Sequence, residues 1–152
     1  MKISKRLLDE LVAHALEDPR NEVCGVVAVE PGDSGESGVD PADQAARAVD
    51  IHRAVDVHRA VNVHASPLKF EIDPAELLAL YNSIEGAGGE LGAIYHSHVR
   101  SAPYPSQTDI GFAANWPGVE WVIVGLADGQ APEVRSYLIE DGRVREVALE
   151  VE

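Results

Sequence analysis

The chain has 152 residues, which suits one domain with a sizeable core, and its composition is that of an ordinary globular protein. It contains no long apolar run that predicts a transmembrane helix and no secretory signal at its N-terminus, so we expect a cytoplasmic protein. The net charge of −14 argues against nucleic acid or an anionic membrane as a partner, because phosphates would be repelled. The single cysteine, Cys24, excludes an internal disulfide and suits a reducing compartment.

The first part of the chain predicts a helix followed by a buried strand. Ser4 is a suitable N-cap, and Asp18-Pro19 ends the helix after Glu17. The apolar stripe of this helix consists of Leu7, Leu8, Leu11, Val12 and Ala15. Residues 23–29 are almost entirely apolar and predict a strand, whereas residues 31–43, rich in Gly, Pro, Ser and Asp, predict a loop.

Residues 48–65 repeat a six-residue unit three times, as AVDIHR, AVDVHR and AVNVHA. Apolar and polar residues alternate, which predicts a β-strand. One unbroken strand of this length would approach 60 Å at about 3.3 Å per residue, so the segment must bend, pair with itself or project from the body. His52, His58 and His64 share one face, but their spacing is too wide for one metal ion. We expect the repeat to extend a hairpin or to pair with a second subunit as a homodimer, with the arginines of the first two units protecting its edge.

The second half of the chain predicts two more helices and four more strands. Asp73 caps the second helix and Pro74 occupies its first turn, while Ser106 caps a third helix that runs to about Asn115. Strands are predicted at 91–98, 120–126, 133–139 and 143–151. This order favours an α/β fold with a mixed, largely antiparallel sheet flanked by helices. We expect one domain over the whole chain, with the repeat at 48–65 as an insertion.

Three residues with metal-ligand chemistry lie at the end of the central strand and the start of the third helix. His96 and His98 stand two positions apart, so both imidazoles project from the same side of the strand. A loop returns the chain to Ser106, and the first helical turn offers Asp109 as a third ligand. Two histidines and a carboxylate leave one position of a tetrahedral zinc ion open for water, as in catalytic sites. Taken separately, the histidines could be ordinary surface residues and Ser-x-x-Asp an ordinary helix cap.

The spacing from His96 and His98 to Ser106 and Asp109 resembles the JAMM motif of the JAB1/MPN/Mov34 metallopeptidases. The resemblance extends to residues 22–25, 70–78 and 121–126. It implies the MPN fold, a curved sheet flanked by helices and related to cytidine deaminases. It also implies zinc held by the two histidines and the aspartate, with Glu22 as the general base and Ser106 as hydrogen-bond donor to the oxyanion.

The resemblance further implies cleavage of the bond after the C-terminal glycine of a ubiquitin-like or sulfur-carrier protein. Residues 94–98, 104–106 and 135–142 look more like the CysO-cysteine-type branch, which releases cysteine from a sulfur carrier during cysteine synthesis. The alternative branch removes ubiquitin-like modifiers from lysines. Val99 stands where many relatives have proline, a difference that bears on the loop and on substrate preference. A non-catalytic MPN scaffold is the remaining alternative.

Overall fold

The computed structural model describes residues 1–32, 52–127 and 131–152. The helices in this part of the chain are α1 (Lys5–Glu17), α2 (Pro74–Gly86) and α3 (Gln107–Ala113). The strands are β1 (Lys2–Ile3), β2 (Cys24–Val29), β3 (Ala54–Ala60), β4 (Glu90–His98), β5 (Glu120–Gly125), β6 (Glu133–Glu140), β7 (Arg143–Val147) and β8 (Glu150–Val151). The loop predicted at 31–43 and the first repeat unit lie largely outside the described residues. None of the helices described is long and apolar enough to cross a membrane.

Six strands form one sheet in the order β3-β2-β4-β5-β6-β7. Neighbouring strands run antiparallel except β4 and β5, which run parallel and are connected through α3. The prediction of a mixed, largely antiparallel sheet flanked by helices is therefore confirmed. The strand predicted over 143–151 is wrong in its second half, because the chain leaves this sheet after Val147 and β8 pairs in parallel with β1.

Both faces of the sheet are buried, which gives the protein two hydrophobic clusters. Every residue of β2 and of β5 is buried, as expected for central strands covered on both sides. One cluster contains Leu7 and Leu11 of α1 together with alternate residues of the central strands. The other contains Ile84 of α2 and Ala113 of α3 together with the intervening residues. The helices therefore cover opposite faces, with α2 and α3 on the face where Ile94 of β4 lies.

The helix starts agree with the sequence signals. The Ser4 hydroxyl accepts a hydrogen bond from the Leu7 N–H at 3.2 Å. The Asp73 carboxylate accepts one from the Ala75 N–H at 3.3 Å, and Pro74 opens α2. These bonds satisfy N–H groups that the first turn of a helix leaves without an intrahelical partner.

The repeat forms an edge strand and then bends away from it. β3 pairs antiparallel with β2 at the end of the strand order. The chain leaves the strand at Val61, and Asn62 pairs instead with Ile72, so the repeat is not one long strand. Arg59 forms a two-point ion pair with Glu17 of α1, at 2.6 and 3.0 Å, and so joins the edge strand to the first helix. Pairing of the repeat with a second subunit stays a prediction.

The histidines of the repeat have separate surroundings. His64 Nε2 lies 2.7 Å from Glu71 Oε2, and His58 Nε2 lies 3.6 Å from Asp56 Oδ2. Within the described ranges, the group of side chains whose ligand atoms come close enough to share an ion does not include any of them. That group lies at the end of β4.

Gly25 occupies a position on β2 where the sheet has no room for a side chain. A Cβ atom here would lie 2.4 Å from the His58 carbonyl oxygen and 2.4 Å from Cε1 of Tyr95, the paired residue on β4. The Tyr95 ring is fully buried, and its hydroxyl lies 2.7 Å from His14 Nδ1, so it has little freedom to move aside. We expect Gly25→Ala to lower the free energy of unfolding by about 1–3 kcal/mol in urea titrations. Gly86→Ala is the control, because a Cβ there would have no described neighbour within 4 Å beyond the adjacent residues and its own helix backbone. Equal losses for both variants would contradict the prediction.

Candidate metal centre

Three elements meet where β4 ends, and they bring the predicted site residues together. His96 and His98 are alternate residues of β4 on the face covered by α2 and α3. α3 follows after a short loop, with Ser106 as its N-cap and Asp109 in its first turn. Glu22 lies two residues before the start of β2, the strand next to β4. The acids and the histidines are all buried, with exposed fractions of 5% for Glu22, 0% for His96, 6% for His98 and 3% for Asp109.

The ligand atoms of His96, His98 and Asp109 converge on one point. The two Nε2 atoms lie 3.1 Å apart, and Asp109 Oδ2 lies 3.1 Å from His96 Nε2 and 3.4 Å from His98 Nε2. A tetrahedral zinc ion with bonds of about 2.0–2.2 Å has its ligand atoms roughly 3.3 Å or slightly more apart. The observed separations of 3.1, 3.1 and 3.4 Å are close to this value, so zinc fits after a slight outward shift of the ligand atoms.

Contacts outside the centre hold the two imidazoles in orientations that suit a metal. His98 Nδ1 donates a hydrogen bond to the Ala102 carbonyl at 2.8 Å. Because a carbonyl only accepts, the proton of neutral His98 is on Nδ1, and the lone pair of Nε2 faces the centre. The His96 ring stacks on Phe70, with ring centroids 4.3 Å apart.

The Glu22 carboxylate also points into the centre. Its Oε1 lies 3.9 Å from His98 Nε2, and its Oε2 is buried without a hydrogen-bond partner in the part of the chain that the structure describes. One oxygen of Glu22 and one nitrogen each of His96 and His98 lie within 4.8 Å of one another, so this trio is a second possible ligand set. Glu22 is farther from His98 than Asp109 is, which favours Asp109 as the ligand.

The electrostatics of the centre favour a bound cation. Burial raises the pKa of Glu22 to about 7, an effect that His98 opposes and Asp109 increases. Burial lowers the pKa of His96. Burial alone would also lower the pKa of His98, but the hydrogen bonds with Asp109 and Ala102 and the charges of Asp109 and Glu22 together raise it. Burial would raise the pKa of Asp109, but the hydrogen bonds with His96 and His98 hold it well below its usual range. Asp109 is therefore a carboxylate that faces two imidazole nitrogens.

Ser106 forms a reciprocal cap at the start of α3. Its hydroxyl oxygen accepts a hydrogen bond from the Asp109 N–H at 3.1 Å, and Asp109 Oδ2 accepts one from the Ser106 N–H at 2.8 Å. The interpretation of Ser-x-x-Asp as a helix cap is therefore correct. It does not exclude a role in catalysis, because a hydroxyl that accepts one hydrogen bond still has its own O–H to donate.

Two contacts that support the site had no signal in the sequence. The Ser97 hydroxyl accepts a hydrogen bond from the Val23 N–H at 2.9 Å and so links β4 to the residue after Glu22. Tyr137 of β6 donates a hydrogen bond to the carbonyl of Pro103, in the loop between β4 and α3. Ser97 and Val23 are 74 positions apart in the sequence, and Tyr137 and Pro103 are 34 apart, so no pattern of neighbouring residues predicts either contact.

Cys24 lies opposite His96 on the adjacent strand but is not accessible. It is completely buried, and burial raises the pKa of its thiol to about 12. A protonated thiol is a poor nucleophile, so we expect almost no reaction of the native protein with Ellman's reagent. The urea-unfolded protein is expected to release one equivalent of chromophore at once. Rapid reaction of the native protein would show that this part of β2 opens readily.

Comparison with known proteins gives matches over most of the chain. A family model described as prokaryotic homologs of the JAB domain matches residues 4–140. The CysO-cysteine peptidase of Mycobacterium tuberculosis is 32% identical over 145 residues, which cover 95% of this chain and 86% of that protein. The desampylase of Haloferax volcanii is 37% identical over 119 residues, which cover 76% of this chain and 73% of that protein. A JAB1/MPN domain protein from Archaeoglobus fulgidus has the same fold, with a TM-score of 0.58 and 18% identity over 99% of this chain and 98% of its own.

These matches decide several of the predictions made from the sequence. The resemblance to JAMM/MPN proteins and the predicted fold are confirmed. The prediction of a hydrolase is also confirmed, since the mycobacterial relative is a peptidase by name. The individual roles of Glu22, His96, His98, Ser106 and Asp109 are not tested by the matches and stay predictions.

Proposed function

The chain belongs to the family of prokaryotic JAB-domain homologues, and from this premise we propose that it is a zinc-dependent peptidase of the JAMM type. The observation that carries the proposal is the convergence of ligand atoms from His96, His98 and Asp109 beside the carboxylate of Glu22. Catalytic zinc sites use three protein ligands and leave a position open, whereas structural sites are closed by four.

In this proposal His96, His98 and Asp109 hold the ion. A bound zinc ion supplies Lewis acidity, which polarises the scissile carbonyl and lowers the pKa of the attacking water. The imidazoles offer their Nε2 atoms, which lie 3.1 Å apart at the centre, and Nδ1 of His98 is occupied by the hydrogen bond to the Ala102 carbonyl. Asp109 contributes the negative charge that partly balances the cation, and its hydrogen bond from the Ser106 N–H keeps Oδ2 directed at the histidines.

Glu22 transfers the proton. Its carboxylate takes a proton from the water that adds to the carbonyl carbon, and it returns that proton to the leaving nitrogen when the C–N bond breaks. The distance of 3.9 Å between Glu22 Oε1 and His98 Nε2 suits a base placed beside the ligands rather than among them. Its Oε2, which has no hydrogen-bond partner among the described residues, is available to bind and orient the attacking water.

Ser106 donates a hydrogen bond to the oxygen that becomes negatively charged during attack. Removing one such donor costs roughly 10²–10³ in rate, so we expect Ser106→Ala to lower kcat by that factor. Loss of the cap adds a destabilisation of about 1 kcal/mol for alanine, but only a few tenths for glycine. Kinetics of Ser106→Gly beside Ser106→Ala separate the two effects, because both should lose activity while only alanine loses much stability. Full activity in the glycine variant would remove Ser106 from the mechanism.

As substrate we propose a ubiquitin-like or sulfur-carrier protein, cut after its C-terminal glycine. CysO-cysteine-type processing is favoured, because the mycobacterial CysO-cysteine peptidase aligns with 95% of this chain and the desampylase with 76%. Removal of ubiquitin-like modifiers from lysine is the second candidate, supported by the 37% identity to that desampylase. A role in cysteine synthesis would follow from the first activity only.

The proposal also covers the localisation, the domain organisation and the oligomeric state of the enzyme. We propose that it acts in the cytoplasm as a single domain over residues 1–152, with the repeat around 48–65 as an insertion. The repeat offers β3, an edge strand of the sheet, as the contact of a homodimer. Sedimentation of the full chain beside a variant with proline in place of Val57 would test the dimer, because proline disrupts strand pairing.

Two matched substrates test the proposed function. One is a ubiquitin-like protein extended at its C-terminal glycine by a single cysteine, and the other is the same protein joined through that glycine to a lysine side chain. Mass spectrometry after incubation with the zinc-loaded protein is expected to show loss of the cysteine. Loss of the lysine adduct alone would favour the second candidate. If neither bond is cut and the purified protein binds no zinc, the chain is a scaffold instead.

A further inference from the structure

The side-chain amide of Asn62 forms four hydrogen bonds close to the proposed active site. Its nitrogen donates to two carbonyls, those of Glu22 and Lys69, at 3.0 Å each. Its oxygen accepts from two backbone N–H groups, those of His64 at 3.1 Å and Glu71 at 3.2 Å. All of the strong hydrogen-bonding capacity of this side chain is therefore directed at the backbone of the protein.

These bonds complete a frame around Glu22. The peptide group before the Glu22 Cα is held because its N–H donates to the Ser66 carbonyl at 2.8 Å. The peptide group after it is held at both ends: Asn62 donates to the carbonyl of Glu22, and the Val23 N–H donates to the hydroxyl of Ser97 at 2.9 Å. Fixing both peptide planes fixes φ and ψ of Glu22, and so the direction in which its side chain leaves the backbone.

The same amide also holds the segment that supports His96. Its contacts with Lys69 and Glu71 lie on either side of Phe70, whose ring stacks on the His96 imidazole. Asn62 thus joins the backbone of Glu22 to the backbone beneath one of the proposed metal ligands. The side-chain hydrogen bonds of Asn62 all go to backbone atoms and not to His96, so its influence passes through the backbone of these two segments.

The repeat explains why asparagine is needed at this position. The first two units have aspartate at their third position, as Asp50 and Asp56, and the third unit has Asn62. Asp56 is exposed, and its carboxylate accepts a hydrogen bond from the Val57 N–H. At position 62 two carbonyl oxygens must be satisfied, which an ionised carboxylate cannot do because it has no proton to donate. With aspartate there, a negatively charged carboxylate oxygen would lie about 3 Å from the carbonyl oxygens of Glu22 and Lys69, which also carry partial negative charge.

We propose that Asn62 is a positioning residue that sets the orientation of Glu22 for proton transfer. The proposal rests on the function proposed above for Glu22, and it assigns a specific purpose to the asparagine that replaces aspartate in the third repeat unit. Asn62 touches neither the reacting atoms nor the three ligand atoms of the metal centre, so its loss should affect the chemical step while the ion stays bound.

The test compares the zinc-loaded full chain with Asn62→Asp, which keeps the shape and the acceptor oxygen but loses both donors. We expect kcat to fall by about ten- to a hundredfold, KM to stay within about twofold, and the zinc content to remain that of the unaltered protein. Hydrogen exchange of the Val23 amide, relative to that of Ile123 on β5, should become about tenfold faster. Asn62→Ala should give the same changes in kcat and in Val23 exchange, and it replaces Asn62→Asp in the test if the aspartate variant does not fold.

Two controls separate positioning from simple loss of stability. Asp56→Asn makes the reverse change in the second repeat unit and should leave kcat and zinc content unchanged. Val29→Ala removes a buried side chain at the opposite end of β2 from Glu22 and should lower stability without lowering kcat.

The outcomes are distinct. Unchanged kcat and unchanged Val23 exchange in both Asn62 variants would overturn the proposal. So would a loss of zinc in parallel with activity, or an equal loss of kcat in Val29→Ala, because Asn62 would then serve only the fold. If the unaltered protein cuts neither test substrate, the proposed function fails, but the Val23 exchange rate still decides whether Asn62 holds the backbone at Glu22.

Discussion

Replacing Glu22 with glutamine is expected to lower kcat by about 10²–10⁴-fold while the zinc content stays unchanged. Glutamine has nearly the same shape but cannot accept the proton of the attacking water. Glu22 Oε2 has no hydrogen-bond partner among the described residues, so the neutral amide also removes a costly buried carboxylate. The thermal midpoint of the variant should therefore be equal to or higher than that of the original protein. Steady-state kinetics, metal analysis and thermal unfolding check the three expectations.

Glu71→Gln is the matched control for this prediction. Glu71 is a glutamate next to Phe70, whose ring stacks on His96, but its carboxylate faces His64 rather than the metal centre. Its replacement should leave kcat unchanged. Peptide cleavage that persists both in Glu22→Gln and in the presence of a zinc chelator would refute the proposed mechanism.

Replacing Asp109 with asparagine is expected to remove most of the bound zinc, and activity with it. The loss of affinity should exceed the roughly 10–100-fold that follows removal of a group which only orients a ligand. Asparagine is still able to accept the hydrogen bond from the Ser106 N–H, so α3 should keep its cap and the protein its fold. Zinc content after dialysis against a competing chelator, with circular dichroism of the same samples, measures both effects.

Asp73→Asn provides the control, since the carboxylate of Asp73 also accepts a backbone N–H at the start of a helix but lies outside the metal centre. It should retain zinc and activity. This experiment also distinguishes the two possible ligand sets. If Asp109→Asn keeps its zinc and Glu22→Gln loses it, then Glu22 is the third ligand and the assignment of roles made above is wrong.

Much of the local structure was predictable because its causes are local. The caps at Ser4, Asp73 and Ser106 satisfy N–H groups within the next three residues, and the structure has all three. The strand over 24–29 follows from an apolar run buried on both faces. The departure of β8 from the sheet was not predictable, because it depends on pairing with β1 at the other end of the chain.

The sequence by itself determined the strand–loop–helix unit that contains His96, His98 and Asp109. Two-residue periodicity places both imidazoles on one side, and the helix cap places the carboxylate in the first turn, so neighbouring residues suffice. No local pattern distinguished Glu22 from a loop charge, and only the family resemblance indicated it. The tertiary structure decided where Glu22 lies, because the pairing of β2 with β4 sets Cys24 opposite His96 and so places Glu22, two residues before Cys24, next to the histidines. Contacts between segments far apart in sequence, such as that of Asn62 with Glu22, arise only from that packing.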